Sequence, residues 1–351
     1  MLLLTLAVVE GSLRLMLSTN RGLALLGSHL DEPSWRLLWI QGQSKPKPFT
    51  QPFDRHHPTR GWALAPGLDT TVFGSSRLTS NSLGIRGAGE IDVPKPRGRL
   101  RILVFGDSFS FGEEVADDEA YPQIAERALA AYHGDIEVLN LGVHGYAHDQ
   151  MLLYLREVGE QLEPDVVVLG YVAQDAERNL HAFRDFAKPR FRLTSSGLQL
   201  EATPVPDPDE LRRAHARSSR LVDVASMLAE RTRWRIQDRQ EHVWALTAAI
   251  LDAFVAEVER IGAHPLLVQL PVLTELTSDA DTTAPERFLA GVCREQDADC
   301  LFLRPAFREY ARREGATFET ERHWTPLEHG IAGETLAARL HEHLGGSKSP
   351  F

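Results

Sequence analysis

Cysteine is scarce: of 351 residues, only Cys293 and Cys300 carry a thiol. That number excludes a disulfide-built scaffold, and the pair lacks any metal-ligand pattern. A single bridge and two separate thiols both remain open. Positive charge is also short. Lys and Arg total 38 against 49 Asp and Glu, a formal net charge of −11. This argues against nucleic acid as a partner, which needs a basic surface. The densest basic stretch, "ELRRAHARSSR" at 210–220, reads as a solvated helix face. A long apolar run is missing at the N-terminus. "MLLLTLAVV" ends at Glu10, and "GSLRLML" resumes with Arg14 inside it. A spanning helix needs about 20 apolar residues. There is no basic leader region and no small-residue cleavage site. Residues 1–16 therefore read as a signal anchor clipped by a late start codon, an interfacial amphipathic helix, or a helix packed on the protein. Membrane association and an extracytoplasmic location are expected from them. The chain has no internal repeat and no low-complexity tract.

What is present is globular. Hydrophobic residues make up 43% and charged residues 25%. Residues 17–98 form an N-terminal extension expected to hold short strands and loops. Its "GLDTTVFGSSRLTSNSLGIRG" alternates apolar and polar residues among turn formers. "VPKPRGR" at 93–99 is a linker. From residue 100 the pattern becomes regular. Apolar runs stand at 100–106, 136–142, 165–171, 264–270 and 299–303. Helical patterns stand at 118–132, 149–162, 242–262, 284–296 and 328–344. Strands alternating with helices predict an α/β fold with a parallel sheet. Five such strands fit a flavodoxin-like three-layer α/β/α sandwich over 99–346. An insertion at about 176–240 follows the third strand. It contains a hairpin pattern at 191–200 and a long polar helix from about 208. An insertion there serves as a lid over a site or as a structural buttress.

The chemistry centres on "RILVFGDSFSFGEEV", 101–115. A buried strand stops at Gly106 and runs into Asp107 and Ser108. The carboxyl ends of strands are where ligands bind in open α/β sheets. A serine there either caps the next helix or acts as a nucleophile. As a nucleophile it needs a base, a group that orients the base, and donors for an oxyanion. His323 in "ETERHWTPLEHG" is the candidate base, with Glu321 two residues before it. Gly142 and Gly145 of "NLGVHGYAHDQ", Gln174 of "LGYVAQDAERN" and Asn179 further on are candidate donors. His144 and His148 either line the cleft or fill a loop. His56 and His57 read as an exposed loop pair, His329 as a packing residue of the last helix, and Asp107 as the holder of the Ser108 turn.

"VFGDSFSFGEEV" resembles the GDS block of the SGNH hydrolases, also called GDSL esterases and lipases. That family has a flavodoxin-like fold and four blocks in the order Ser, Gly, Asn, His. Ser108, Gly145, Gln174 and His323 stand in that order over roughly 100–345. "NSLGIRG" and the insertion also look like a bacterial branch of the superfamily whose members often carry an N-terminal membrane segment. Two positions depart. The third block usually reads Asn-Asp, here Gln174-Asp175. The acid before the His is usually Asp, here Glu321, with Glu319 as second choice. Each change adds one methylene and keeps the chemical type. The resemblance implies acyl transfer with no metal and no cofactor. Ser108 would attack an ester, His323 would take its proton, and Glu321 would orient His323. The N–H groups of Ser108 and Gly145 and the Gln174 amide would hold the oxyanion. The expected substrate is an ester, foremost an O-acetyl group on an extracytoplasmic glycan. The alternatives are an O-acyltransferase on a polysaccharide and a non-catalytic glycan-binding or assembly protein on the same scaffold.

Overall fold

Five apolar runs build one parallel sheet in the computed structural model, which describes residues 1–25, 31–42, 53–73, 76–318 and 323–345. The strands are β1 (Leu100–Gly106), β2 (Ile136–Gly142), β3 (Val166–Tyr171), β4 (His264–Gln269) and β5 (Asp299–Phe302). Their order in the sheet is β2-β1-β3-β4-β5. Ile102 to Phe105 in β1 are fully buried. A strand covered on both faces needs an unbroken apolar run, and that is how β1 reads. The helices packed around the sheet are α1 (Ser108–Phe111), α2 (Tyr121–Ala130), α3 (His148–Leu162), α4 (Arg239–Arg260), α5 (Ala284–Gln296), α6 (Arg304–Glu314) and α7 (Pro326–His343).

One face of the sheet sends Ile102, Val104, Val166, Val168 and Val268 into a core with Ala125, Phe307 and Leu336 from α2, α6 and α7. On the other face Phe105 meets Tyr154 of α3 and Phe254 of α4, with ring centroids 5.5 and 5.8 Å away. Three layers result, as expected for a flavodoxin-like sandwich. The strand order reverses direction between β1 and β3. In such sheets the crevice outside the carboxyl ends at this point is the ligand position. Ser108 follows β1 there. Gly106 pairs in register with Gly142, so β1 and β2 end level.

The chain divides into two compact units. One comprises Leu64–Ala176 and Thr247–Phe351 and contains the sheet. Residues 64–98 belong to it, so the stretch 17–98 is shared between units. Arg86 bridges to Asn140 of β2 there. The other unit comprises Met1–Ala63 and Glu177–Leu246. Its helix Leu2–Leu17 is tied to helix Arg220–Ile236 through Glu10. The Glu10 carboxylate accepts from Ser219 Oγ at 2.8 Å and from the N–H groups of Arg220 and Leu221 at 3.0 Å. These donors hold its pKa down at about 2. Leu17, Leu37 and Met227 form a small core beside it, while Leu2, Leu3, Leu4 and Val8 are exposed. Among the described residues no helix is long and apolar enough to cross a membrane.

Several expectations need correction. The polar stretch from 208 forms two helices, Pro208–Arg217 and Arg220–Ile236, instead of one. The break at Ser218 is held by the Arg220 guanidinium, which folds back onto the His215 carbonyl. Arg220 is buried and pairs with Asp223, so the basic stretch is not wholly solvated. Residues 17–98 contain a helix, Glu32–Ile40, started by Asp31 accepting from the Ser34 N–H at 2.9 Å. A helix not expected from the sequence, α6, follows β5 and packs on the core through Leu303, Ala306, Phe307 and Tyr310. His56 and His57 lie on strand Asp54–His57, where His56 Nε2 is 2.9 Å from the Val205 carbonyl. The hairpin pattern at 191–200 is the antiparallel pair Arg190–Thr194 and Gly197–Glu201. Cys293 and Cys300 are joined as a disulfide.

Close approach governs the sheet edge beside Ser108. Ser110 Oγ and Tyr121 Oη are hydrogen bonded at 2.8 Å directly over Gly170 of β3. A Cβ at Gly170 would run into Ser110 Oγ and lie 2.9 Å from Leu270 Cδ1 and 3.1 Å from Tyr121 Oη. Overpacking of this kind costs about 1–3 kcal/mol. Gly170→Ala is therefore expected to lower the unfolding free energy by that amount, read as a lower denaturant midpoint at unchanged slope. A midpoint equal to wild type would contradict the packing described.

Candidate active site

Asp107 sets the turn out of β1. Its Oδ1 accepts from the Phe109 N–H at 3.0 Å and caps α1. Ser108 is thereby the first residue of α1, and the residue is only 7% exposed. Asp107 Oδ2 lies 3.5 Å from Ser108 Oγ. His323 arrives from the far end of the chain, just before α7. Its neighbour Trp324 is the anchor. Trp324 is 3% exposed, donates from Nε1 to the Pro271 carbonyl at 3.1 Å, and packs on Phe109 and Phe307 with ring centroids 5.3 Å away. The His323 ring stands edge-on to Phe109 at 5.4 Å. Held so, His323 Nε2 lies 2.9 Å from Ser108 Oγ. The Glu113 carboxylate is 3.8 Å from the same nitrogen.

The other expected residues distribute as follows. Gly145 is buried in the turn from β2 to α3 with φ +73°. The Val143 N–H donates to the Gly106 carbonyl at 3.1 Å, so this turn leaves the sheet beside the Ser108 turn. Gln174 lies three residues past β3, exposed, in a 3-10 turn. Glu321 and Glu319 lie outside the described residues. Asn179 is buried and belongs to the unit without the sheet. His144 is buried against Phe111, with ring centroids 6.0 Å apart, and His148 is stacked on Tyr171 at 5.1 Å. The structure thus brings Ser108 and His323 together and sets Gly145 and Gln174 on loops after neighbouring strands.

Sequence reasoning missed Glu113 and Arg86. The sequence places both near the site without orienting them: "GEE" follows Ser108 by one short turn, and Arg86 is the only cation in "NSLGIRG". Among the described residues one group could hold a cation: His264, Asp299 and His343. It sits at the amino ends of β4 and β5, the edge opposite Ser108. Asp299 there already pairs with Arg339 and lies 3.1 Å from His264 Nε2.

No family model matches the chain, and no curated protein matches it. Solved structures similar to it include esterases and lipolytic proteins. A psychrotrophic esterase from Pseudoalteromonas sp. is 13% identical with a TM-score of 0.42, covering 70% of this chain and 99% of that one. A lipolytic protein of the G-D-S-L family from Desulfitobacterium hafniense is 13% identical with a TM-score of 0.39, covering 68% and 98%. A catalytic mutant of an acetylxylan esterase from Geobacillus stearothermophilus is 15% identical with a TM-score of 0.40, covering 71% and 95%.

His329 marks how dry the packing behind the site is. Its Nδ1 accepts from the Tyr121 N–H at 3.2 Å, and burial pushes its pKa from 6.5 down to about 3. Between those values the unfolded chain binds a proton that the folded chain does not. Stability from this group is complete above pH 6.5 and falls as the pH drops through the window. At pH 5 the loss is about 2 kcal/mol. His329→Gln keeps an acceptor for the Tyr121 N–H but cannot titrate. The stability of wild type minus that of the variant is expected to shift by about 2 kcal/mol toward the variant between pH 7.5 and 5. A pH-independent difference would contradict the assignment.

Proposed function

We propose that the chain is a serine ester hydrolase of the SGNH type, working through an acyl-enzyme on Ser108. The observation that carries the reading is the 2.9 Å approach of Ser108 Oγ to His323 Nε2 at the switch point of the sheet. Serine is a weak nucleophile until a base within hydrogen-bond reach takes its proton. In the proposed cycle Ser108 Oγ bonds to the ester carbonyl carbon and its proton passes to His323 Nε2. The carbonyl oxygen becomes an oxyanion, held by the N–H groups of Ser108 and Gly145 and by the Gln174 amide. The intermediate collapses and the alcohol leaves with the proton from His323. Water, deprotonated by the same imidazole, then attacks the acyl carbon and frees Ser108. Glu321 orients His323 in this reading.

The finer reading is an O-acetyl ester on an extracytoplasmic glycan, with residues 1–16 at a membrane. The Cys293–Cys300 disulfide supports an oxidising compartment. The exposed side chains of Leu2, Leu3, Leu4 and Val8 support a partner surface that is apolar.

Ser108→Ala is expected to cut hydrolysis of p-nitrophenyl acetate by about a thousandfold or more. Its circular dichroism spectrum and melting temperature should stay those of wild type. Retained turnover would remove the nucleophile assignment. Losing one oxyanion donor costs on the order of a hundredfold in kcat. Gln174→Ala should show that loss, and Gln174→Asn should show part of it, because the amide falls short by one methylene. Wild-type kcat in both variants would take Gln174 out of the oxyanion site.

A further inference from the structure

The segment after α1 is clamped more firmly than a surface loop requires. Arg86 is fully buried below it. Its Nη1 donates to the carbonyls of Phe111 and Gly112, the latter at 2.7 Å. Its Nη2 donates to the Val115 carbonyl at 2.8 Å, and its Nε to Asp117 at 2.7 Å. Ser76 Oγ donates to the Glu114 carbonyl at 3.1 Å. Thr79 donates to Asp117 from N–H at 2.8 Å and from Oγ1 at 2.6 Å. From the α1 side, the N–H groups of Gly112 and Glu113 both reach the Ser108 carbonyl at 3.0 Å. Gly112 takes a left-handed φ of +81°, which glycine adopts freely. Glu114 takes +75°, which a side-chain-bearing residue holds only where its surroundings over-determine it.

This clamp fixes the backbone on both sides of Glu113, whose side chain reaches the reaction centre. Its carboxylate is 3.8 Å from His323 Nε2, the nitrogen bonded to Ser108 Oγ, and its side chain is only 17% exposed. The charge therefore sits on the reacting edge of the imidazole. An acid that orients the ring would bond to the other nitrogen.

We propose that Glu113 is a specificity-determining residue: its fixed negative charge selects neutral or cationic esters and rejects those carrying a carboxylate near the scissile bond. The proposal rests on the ester-hydrolase reading. A reacting carbonyl must lie about 3–3.5 Å from Ser108 Oγ. A carboxylate brought within roughly 6 Å of the Glu113 charge, which lies 3.8 Å from the nitrogen bonded to Ser108 Oγ, is repelled by it. Coulomb's law at an effective dielectric intermediate between protein and water makes such a repulsion worth about tenfold in kcat/KM.

The test uses the full chain with two p-nitrophenyl esters of matched acyl length, the hexanoate and the negatively charged adipate, whose own carboxylate would have to close a seven-membered ring to attack the ester. The readout is the ratio of their kcat/KM values, so a change in overall rate does not count. Wild type is expected to favour the neutral ester by about tenfold beyond the ratio of their spontaneous hydrolysis rates. Glu113→Gln should bring the ratio close to the spontaneous one, mainly through a lower KM for the adipate. Glu113→Asp, which keeps the charge, should keep most of the preference. A wild-type ratio equal to the spontaneous one overturns the proposal and leaves the hydrolase reading standing. So does a Glu113→Gln variant whose ratio equals that of wild type. Absence of turnover of both esters by wild type, together with no reaction with a fluorophosphonate, overturns the hydrolase reading and the proposal with it.

Discussion

The hydrogen bond between Ser108 Oγ and His323 Nε2 joins residues 215 positions apart in the chain. No local preference can form it. It requires β1 to end at the switch point, and α7 to begin beside it. The first condition is met by the sheet order, which sends the connections of β1 and β3 to opposite faces. The second is met by Trp324, a large buried ring adjacent to His323 whose indole N–H is fixed on the Pro271 carbonyl. A histidine one residue from such an anchor loses most of its freedom before any substrate arrives. Preorganisation of this kind is what lets a static pair act as nucleophile and base.

Around that bond the protein uses buried polar groups as fasteners. Ser110 and Tyr121 bond to each other in the narrow space over Gly170. Burial pushes the Tyr121 phenol pKa up, so it stays a neutral partner. Arg86 does the same work on the loop that follows α1. Desolvation works against its charge, and Asp117 with three carbonyls offsets that cost. A buried guanidinium stripped of such partners would be strongly destabilising. The position of the loop and the satisfaction of Arg86 are therefore one constraint. At the opposite edge of β1, Arg101 serves similarly, donating to the Leu162 and Asp92 carbonyls at 2.7 and 2.8 Å.

The sheet was legible in the sequence because buried parallel strands leave little freedom in composition. The five apolar runs match β1 to β5 within a residue or two. Ser108 was legible because a polar residue at a strand end in such a sheet is conspicuous, whereas His323, which follows α6 and precedes α7, was legible from the ordered blocks of the family that the sequence resembles. Helices held by polar contacts were not. The split at Ser218 depends on Arg220 and on Glu10, some two hundred residues away. Glu113 escaped because nothing in "GEE" alone says which carboxylate turns toward His323. That direction follows from the clamp supplied by Arg86, Ser76 and Thr79, a contact pattern that no spacing rule encodes.

The central claim is that His323 activates Ser108. Its most direct test is the site and rate of reaction with a fluorophosphonate, read by mass spectrometry of proteolytic peptides. The account predicts one adduct, on the peptide carrying Ser108, formed rapidly by wild type and at least a hundredfold more slowly by His323→Ala. An adduct on another residue, or equal rates in the two proteins, would contradict it.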